Sequence, residues 1–373
     1  MITVGIGGSV HDFSTCLIEN GKIVCAIEEE RITRKKYGYC IDITQNTSLE
    51  YCLSKAGIGI DDVDYFAVND LLDTEFYKRL GRKPVIYNHH DCHAASTYYF
   101  SGFNEAAVLV IDHSESRFWD KDELVTETVS YYKAEGKEIN ILQKVLGRSP
   151  EPVFASTNDK KPVLGADGIR LLNSPNNSIG RFYSKISKQL GCITRLSNGE
   201  LHSEAGKMMG LSAYGSDRFY EEMKEFVKFL PDGQLTVNII PNGVADWIDA
   251  MLKSCSNDSE LMKTKMDIAW AAQKILEDAV IYCANYLYGI TRTENICVAG
   301  GVGLNGLANL KIIEKTPFKN IFIQPGAGDS GTSIGAAYLA YINNHGIHNA
   351  EAARIRNNFW GKEYSEAEVL DTL

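Results

Sequence analysis

The sequence has no Cys-x-x-Cys pair. Its nine cysteines are scattered through 373 residues and are odd in number. That argues against a thiolate metal cluster and a disulfide framework, and it suits buried free thiols in a reducing compartment. No window approaches eighteen consecutive apolar residues, so no membrane-spanning helix is expected. The opening MITVGIGGS lacks the basic start and long apolar run of a secretory leader, so a cytoplasmic location is the expectation. Positive charge is also in deficit, with 38 Lys and Arg against 48 Asp and Glu and a net charge of −10. A nucleic-acid partner needs a basic face and is not expected. The one basic run is Arg31 to Lys36, RITRKK. Short repeats and low-complexity tracts are absent as well.

What remains is an ordinary globular composition, 44% hydrophobic and 23% charged. The length is too great for one compact core and comfortable for two lobes. Ile2–Ile6 alternates like a strand and breaks at Gly7-Gly8-Ser9. Two apolar runs, Cys16–Ile18 and Ile23–Ile27, flank Asn20-Gly21, a β-hairpin signal. Helices are expected over Asn46–Ala56, Ile179–Leu190 and Asp267–Leu287, and strands over Asp64–Val68, Pro84–Tyr87, Ala107–Asp112, Asn295–Ala299 and Asn320–Gln324. Ser149–Asn177 reads as a loop-rich tract. VGIGGSVHD and VLVIDHSES each carry a strand to a polar, turn-forming end, where open α/β sheets place ligands. The pattern favours two α/β lobes around a cleft.

Three of the eight histidines fall within five positions of NHHDCHAAS, residues 88–96. Asn88 suits a helix N-cap and Asp91 the positive end of the helix dipole. His89 and His93 are then one turn apart on one face, a bidentate metal arrangement. The same residues also suit a polar helix start with histidines as caps or surface groups. Asp329, between glycines in QPGAGDSGTSIGAA, is the natural third ligand, although an N-cap role is equally common for such an aspartate.

Three further stretches carry possible chemistry. GGSVHDFS sets His11 and Asp12 side by side in a glycine turn, able to serve as acid and base or to stand as exposed polar groups. EAGKMMGLSAYG holds Lys207, a point charge for a phosphate or a surface lysine at a helix join. VAGGVGLNG follows a buried strand and opens a helix, where Gly300 and Gly301 allow a ligand close to the backbone. Its spacing is not that of the dinucleotide fingerprint.

Taken together and in order, HDFSTCLIENGKIVCAIEEERITRKKYG, HHDCHAAS, EAGKMMGLSAYG, AGGVGLNGLAN and QPGAGDSGTSIGAA resemble the nodulation-type O-carbamoyltransferases, from Ile2 to about Ala340. More distantly the layout is similar to the universal tRNA threonylcarbamoyl-transfer protein and the actin/sugar-kinase/chaperone ATPases. The resemblance implies a two-lobed actin-like ATPase fold with an interlobe cleft. The lobes would be 1–105 and 106–345, and 346–373 a polar tail like the linker into a carbamoyl-adenylate-forming domain. It implies a divalent metal on His89, His93 and Asp329, iron(II) first, with zinc or manganese as alternatives. Lys207, Gly300, Gly301, Val302 and Asn305 would hold the nucleotide, and His11 and Asp12 would be the catalytic pair. The implied activity moves a carbamoyl group from ATP-derived carbamoyl-adenylate to a small-molecule hydroxyl or amine in natural-product biosynthesis. A separate carbamoyl-adenylate-forming protein is the implied partner. The alternatives are a non-catalytic nucleotide-binding subunit and tRNA threonylcarbamoyl transfer, the latter disfavoured by the acidic charge. One departure stands out: Asp112-His-Ser-Glu-Ser116 replaces the family's Asp-Gly-x-Gly-Glu, and the lost glycines crowd the backbone where a phosphate would approach.

Overall fold

The computed structural model describes residues 1–9, 11–38, 46–72, 80–113, 116–120, 123–148, 177–196, 199, 201–239, 242–346 and 348–372. The loop-rich tract expected at 149–177 lies outside the described residues except for Asn177, as do Ser114 and Glu115 of the altered stretch. The chain forms two compact units, Met1–Gly102 with Asp329–Leu373, and Phe103–Gly328. The first unit ends close to the expected 105, but it also takes 329–345, which the sequence reading placed in the second lobe, and the tail after 346. The reason is packing: the helix after Asp329 buries its small residues against the first sheet.

In the first unit, strands β1 (Ile2–Gly7), β2 (Ser14–Glu19) and β3 (Lys22–Glu28) form an antiparallel ladder. The β2–β3 turn places Asn20 at φ 50° and Gly21 at φ 80°. Both central residues are left-handed, as tight hairpins with right-handed twist require. A short helix α1 (Glu29–Thr33) precedes α2 (Thr47–Ala56), whose Asn46 side chain accepts from the Leu49 amide at 2.9 Å. Strands β4 (Tyr65–Asn69) and β5 (Val85–Tyr87) add in parallel, giving the order β3-β2-β1-β4-β5. Helix α3 (His89–Tyr98) follows directly.

The second unit is built on β6 (Glu105–Ile111), β7 (Arg117–Asp120) and the long hairpin β8 (Glu123–Glu135) and β9 (Glu138–Arg148). After α4 (Ile179–Gln189) come the short ribbon β10 (Ile193–Arg195) and β11 (Leu201–Ser203), then α5 (Ala205–Ser212) and α6 (Tyr220–Lys224). A second ribbon, β12 (Val227–Phe229) and β13 (Leu235–Val237), leads to α7 (Val244–Lys253) and the 34-residue α8 (Asp258–Thr291). Strand β14 (Asn295–Ala299), helix α9 (Gly306–Lys315) and strand β15 (Asn320–Ile323) complete it. Strand order is β15-β14-β6-β8-β7, with β9 on β8. β6, β14 and β15 are parallel. Leu109, Tyr131, Phe182, Ile275 and Leu287 belong to its core.

The chain then re-enters the first unit through α10 (Thr332–His345), followed by α11 (Ala350–Ala353) and α12 (Glu366–Thr372). α10 lies directly on β1. A Cβ on Gly5 would stand 2.0 Å from the Ser333 carbonyl oxygen, and one on Gly7 2.2 Å from the Ser333 nitrogen. A Cβ on Gly335 would stand 1.8 Å from the Cys92 carbonyl oxygen, so α10 also touches α3 backbone to backbone. Only glycine permits these approaches. They bring the start of α10 beside the start of α3.

Candidate active site

Asn88 caps α3 as its residue type suggests, its side chain accepting from the Asp91 amide at 3.1 Å, while the His89 amide donates to Asp70 Oδ1 at 3.0 Å. One turn of helix brings His89 Nε2 and His93 Nε2 to 3.0 Å. Asp329, in the turn before α10, sets Oδ1 at 3.6 Å from His89 Nε2 and 3.8 Å from His93 Nε2. All three side chains are buried. Burial alone would raise the Asp329 carboxyl. The close imidazoles of His89 and His93, with the charge of His11, outweigh it and hold that carboxyl well below the usual carboxylate range.

The three donors suit a divalent ion. Ligands held at about 2.0–2.2 Å around a tetrahedral centre lie roughly 3–3.5 Å from one another. The observed edges of 3.0, 3.6 and 3.8 Å need only slight closure. Two imidazoles and a carboxylate form a borderline donor set that accepts iron(II), zinc or manganese. His90 is buried too, its ring centroid 6.2 Å from that of His89.

The β1–β2 turn supplies the other pair. His11 Nδ1 lies 3.0 Å from Asp12 Oδ2 and 3.9 Å from Asp329 Oδ2, and both side chains are about one quarter exposed. Asp12 has φ 56°, a left-handed conformation in which aspartate is among the better tolerated side chains. It aims the carboxylate back at its own neighbour. The Tyr37 ring meets His11 edge-on, with centroids 6.4 Å apart.

Four residues that sequence reasoning did not single out hold this arrangement. Ser9 Oγ makes a short hydrogen bond to Asp329 Oδ2. Asn69 Nδ2 donates to the Gly8 carbonyl at 2.8 Å and to Thr332 Oγ1 at 2.9 Å. The Gly8 amide donates to Thr332 Oγ1 at 3.1 Å. Asp70, next in the chain to Asn69, anchors the first turn of α3. Asn69 and Asp70 end a parallel strand, and that position was the available signal.

The expected nucleotide residues all lie in the second unit. Gly300, at φ 91°, donates its amide to the Ala327 carbonyl at 2.9 Å, and a Cβ there would stand 2.3 Å from the Ile111 carbonyl oxygen. The glycine is therefore required by its own chain. Gly301 opens a short 3-10 turn in which Val302 is buried. Asn305 caps α9 through Ala308 N at 3.0 Å and exchanges two hydrogen bonds with Gln273, at 2.9 and 3.1 Å. Its amide is thus already engaged. Lys207 is 62% exposed on α5, with Nζ 3.7 Å from Glu204 Oε1.

The family model described as Carbamoyltransferase N-terminus matches residues 3–80 and 71–338. The chain belongs to this carbamoyltransferase family. Nodulation protein NolNO of Sinorhizobium fredii is 24% identical over 97% of this chain and 50% of its own length. An uncharacterized Synechocystis protein is 27% identical over 90% of this chain and 56% of its own. This carbamoyltransferase-family chain thus spans about half the length of the curated relatives it matches. A solved full-length HypF, in a phosphate- and nucleotide-bound form, superposes with a TM-score of 0.53 at 14% identity, covering 91% of this chain and 55% of that one. The fold is that of the actin-like ATPases. No helix among the described residues is long and apolar enough to cross a membrane.

Proposed function

We propose that the chain transfers a carbamoyl group from carbamoyl-adenylate to a hydroxyl or amine of a small molecule in natural-product biosynthesis. The observation that carries this is the His11–Asp12 pair standing 3.9 Å from the carboxylate of the His89, His93 and Asp329 trio, in a chain of the carbamoyltransferase family. His89, His93 and Asp329 would hold a divalent ion, iron(II) first, with zinc or manganese as alternatives. Such an ion supplies Lewis-acid polarisation of a donor oxygen.

The remaining chemistry falls to side chains. Asp12 accepts from His11 Nδ1, which fixes the tautomer and makes Nε2 the basic nitrogen of the ring. His11 Nε2 removes the acceptor's proton as its oxygen or nitrogen bonds to the carbamoyl carbon, and the bond from that carbon to the phosphate oxygen breaks, releasing AMP. Gly300, Gly301, Val302, Asn305 and Lys207 form the nucleotide side. Gly301 and the 3-10 turn after it are best placed to present backbone amides to a ligand. Carbamoyl-adenylate would come from a carbamoyl-adenylate-forming protein or domain.

The test incubates the chain, loaded with iron(II), with synthetic carbamoyl-adenylate and a panel of polyhydroxylated and amino acceptors. Acceptor-dependent AMP release with a carbamoylated product supports the reading. Tight nucleotide binding with no acceptor-dependent release overturns it in favour of a non-catalytic nucleotide-binding subunit.

A further inference from the structure

The two oxygens of Asp329 have different surroundings. Oδ1 faces the imidazoles, 3.6 Å from His89 Nε2 and 3.8 Å from His93 Nε2. Oδ2 takes a short hydrogen bond from the Ser9 hydroxyl. An ionised carboxylate only accepts, so the serine is the donor. The bond is charge-assisted, the stronger class of hydrogen bond, and both side chains are buried. His11 does not compete for Oδ2. Its Nδ1 stands 3.9 Å away, beyond hydrogen-bond reach, and 3.0 Å from Asp12 Oδ2.

Ser9 and Asp329 are each fixed through their backbones. The Ser9 amide donates to the His11 carbonyl at 3.0 Å, and the preceding Gly8 amide to Thr332 Oγ1 at 3.1 Å. The Thr332 hydroxyl in turn donates to the Asp329 carbonyl at 2.6 Å. Ser14 Oγ donates to the Ser330 carbonyl at 2.6 Å. The segment that carries Ser9 and the turn that carries Asp329 are thus joined at several points within the first unit. Neither the hydroxyl nor the carboxylate can swing away without breaking other buried bonds.

We propose that Ser9 is a positioning residue for the metal ion: by holding Oδ2 it leaves Oδ1 as the ligating oxygen of Asp329 and keeps the carboxylate from chelating with both. This role depends on the ion assigned to His89, His93 and Asp329 and not on carbamoyl transfer. A carboxylate that gives one oxygen keeps the coordination number low, the condition of a tetrahedral ion such as zinc. One that gives both raises it, toward the oxygen-rich octahedral surroundings that manganese favours. Ser9 therefore bears on which ion the site prefers as well as on how tightly it binds.

Competition of zinc, and separately manganese, between the 373-residue chain and a fluorescent chelator tests this without turnover. Ser9→Ala should weaken zinc roughly ten- to a hundredfold, the usual scale for removing an outer partner of a metal ligand. Manganese should lose less, because the released oxygen can join its coordination, so the ratio of zinc to manganese affinity should fall. Ser14→Ala removes a neighbouring bond between the same two segments without touching the carboxylate, and it should leave that ratio unchanged. Ser9→Ala and Asp329→Asn should be non-additive, since one acts through the other. Zinc affinity unchanged in Ser9→Ala, both ions weakened by the same factor, or a ratio that falls equally in Ser14→Ala overturns the role. A wild-type chain that binds neither ion defeats the trio as a metal site, and the role of Ser9 falls with it.

Discussion

At the scale of single residues, His11 bears the most direct consequence. If it takes the acceptor's proton, His11→Asn should lower carbamoyl turnover by roughly a hundredfold, the ordinary scale for losing a general base. The acidic limb of the pH–rate profile should vanish with it. A variant that loses turnover but keeps that limb shows that His11 binds substrate and does not take the proton. The histidine pair was legible because i, i+4 spacing is a local property that survives folding unchanged, and Asn88 as a cap was legible for the same reason. Ser9, Asn69 and Thr332 were not. Their hydrogen bonds join residues 320, 324 and 263 positions apart, and no local pattern marks a serine or threonine that will meet such a partner. Gly300 was legible as a special backbone position, but the atom that excludes a side chain there is a carbonyl of another strand.

At the scale of elements, hairpin, caps and strand ends followed local chemistry, and the misjudged boundary has a physical cause. Helix α8 begins at Asp258, nine residues before the expected start. Its first turns are solvent-facing, with Met262 and Lys263 half or more exposed, so they show no apolar stripe to read. The α10–α3 contact was invisible for the opposite reason, since a glycine in a helix gives no periodic signal. Gly335→Ala should overpack it, costing about 1–3 kcal/mol or more because the obstacle is the Cys92 backbone. Urea unfolding measures that cost, and an unchanged midpoint contradicts the contact. His348, after α10, makes a pH-dependent contribution. It lies among the rings of Tyr98, Tyr99 and Tyr338, with Nδ1 3.1 Å from the Tyr338 hydroxyl. Burial pushes its pKa down from 6.5 to about 4. The folded state keeps the neutral ring while the unfolded chain binds a proton. This contribution is therefore complete above pH 6.5 and is lost as pH falls toward about 4. Partial exposure screens it to about 1 kcal/mol. His348→Gln should flatten the stability difference across that window, and a variant with the wild-type slope shows that His348 does not contribute.

At the scale of the whole chain, the discontinuous first unit has a thermodynamic consequence. Two stretches, Met1–Gly102 and Asp329–Leu373, must come together to form it, and the histidines and Asp329 come from different stretches. An ion held by all three binds the folded unit and not the unfolded chain, so it draws the equilibrium toward the folded state by mass action. At a free concentration about a hundred times its dissociation constant, the gain is about 2.7 kcal/mol. For a unit of this size that corresponds to a rise in Tm of about 5–10 °C. Iron(II) under anaerobic conditions, zinc and manganese should each give a concentration-dependent rise, and chelation should reverse it. The order of the three at equal free concentration ranks the site's preference, which the donor set leaves open. His89→Ala/His93→Ala should abolish both the rise and metal retention measured by elemental analysis. Asp329→Asn should weaken both while keeping the carbonyl oxygen in place. An undiminished rise in the double histidine variant means that the ion binds elsewhere, and the trio is then a hydrogen-bonded core cluster instead of a metal site.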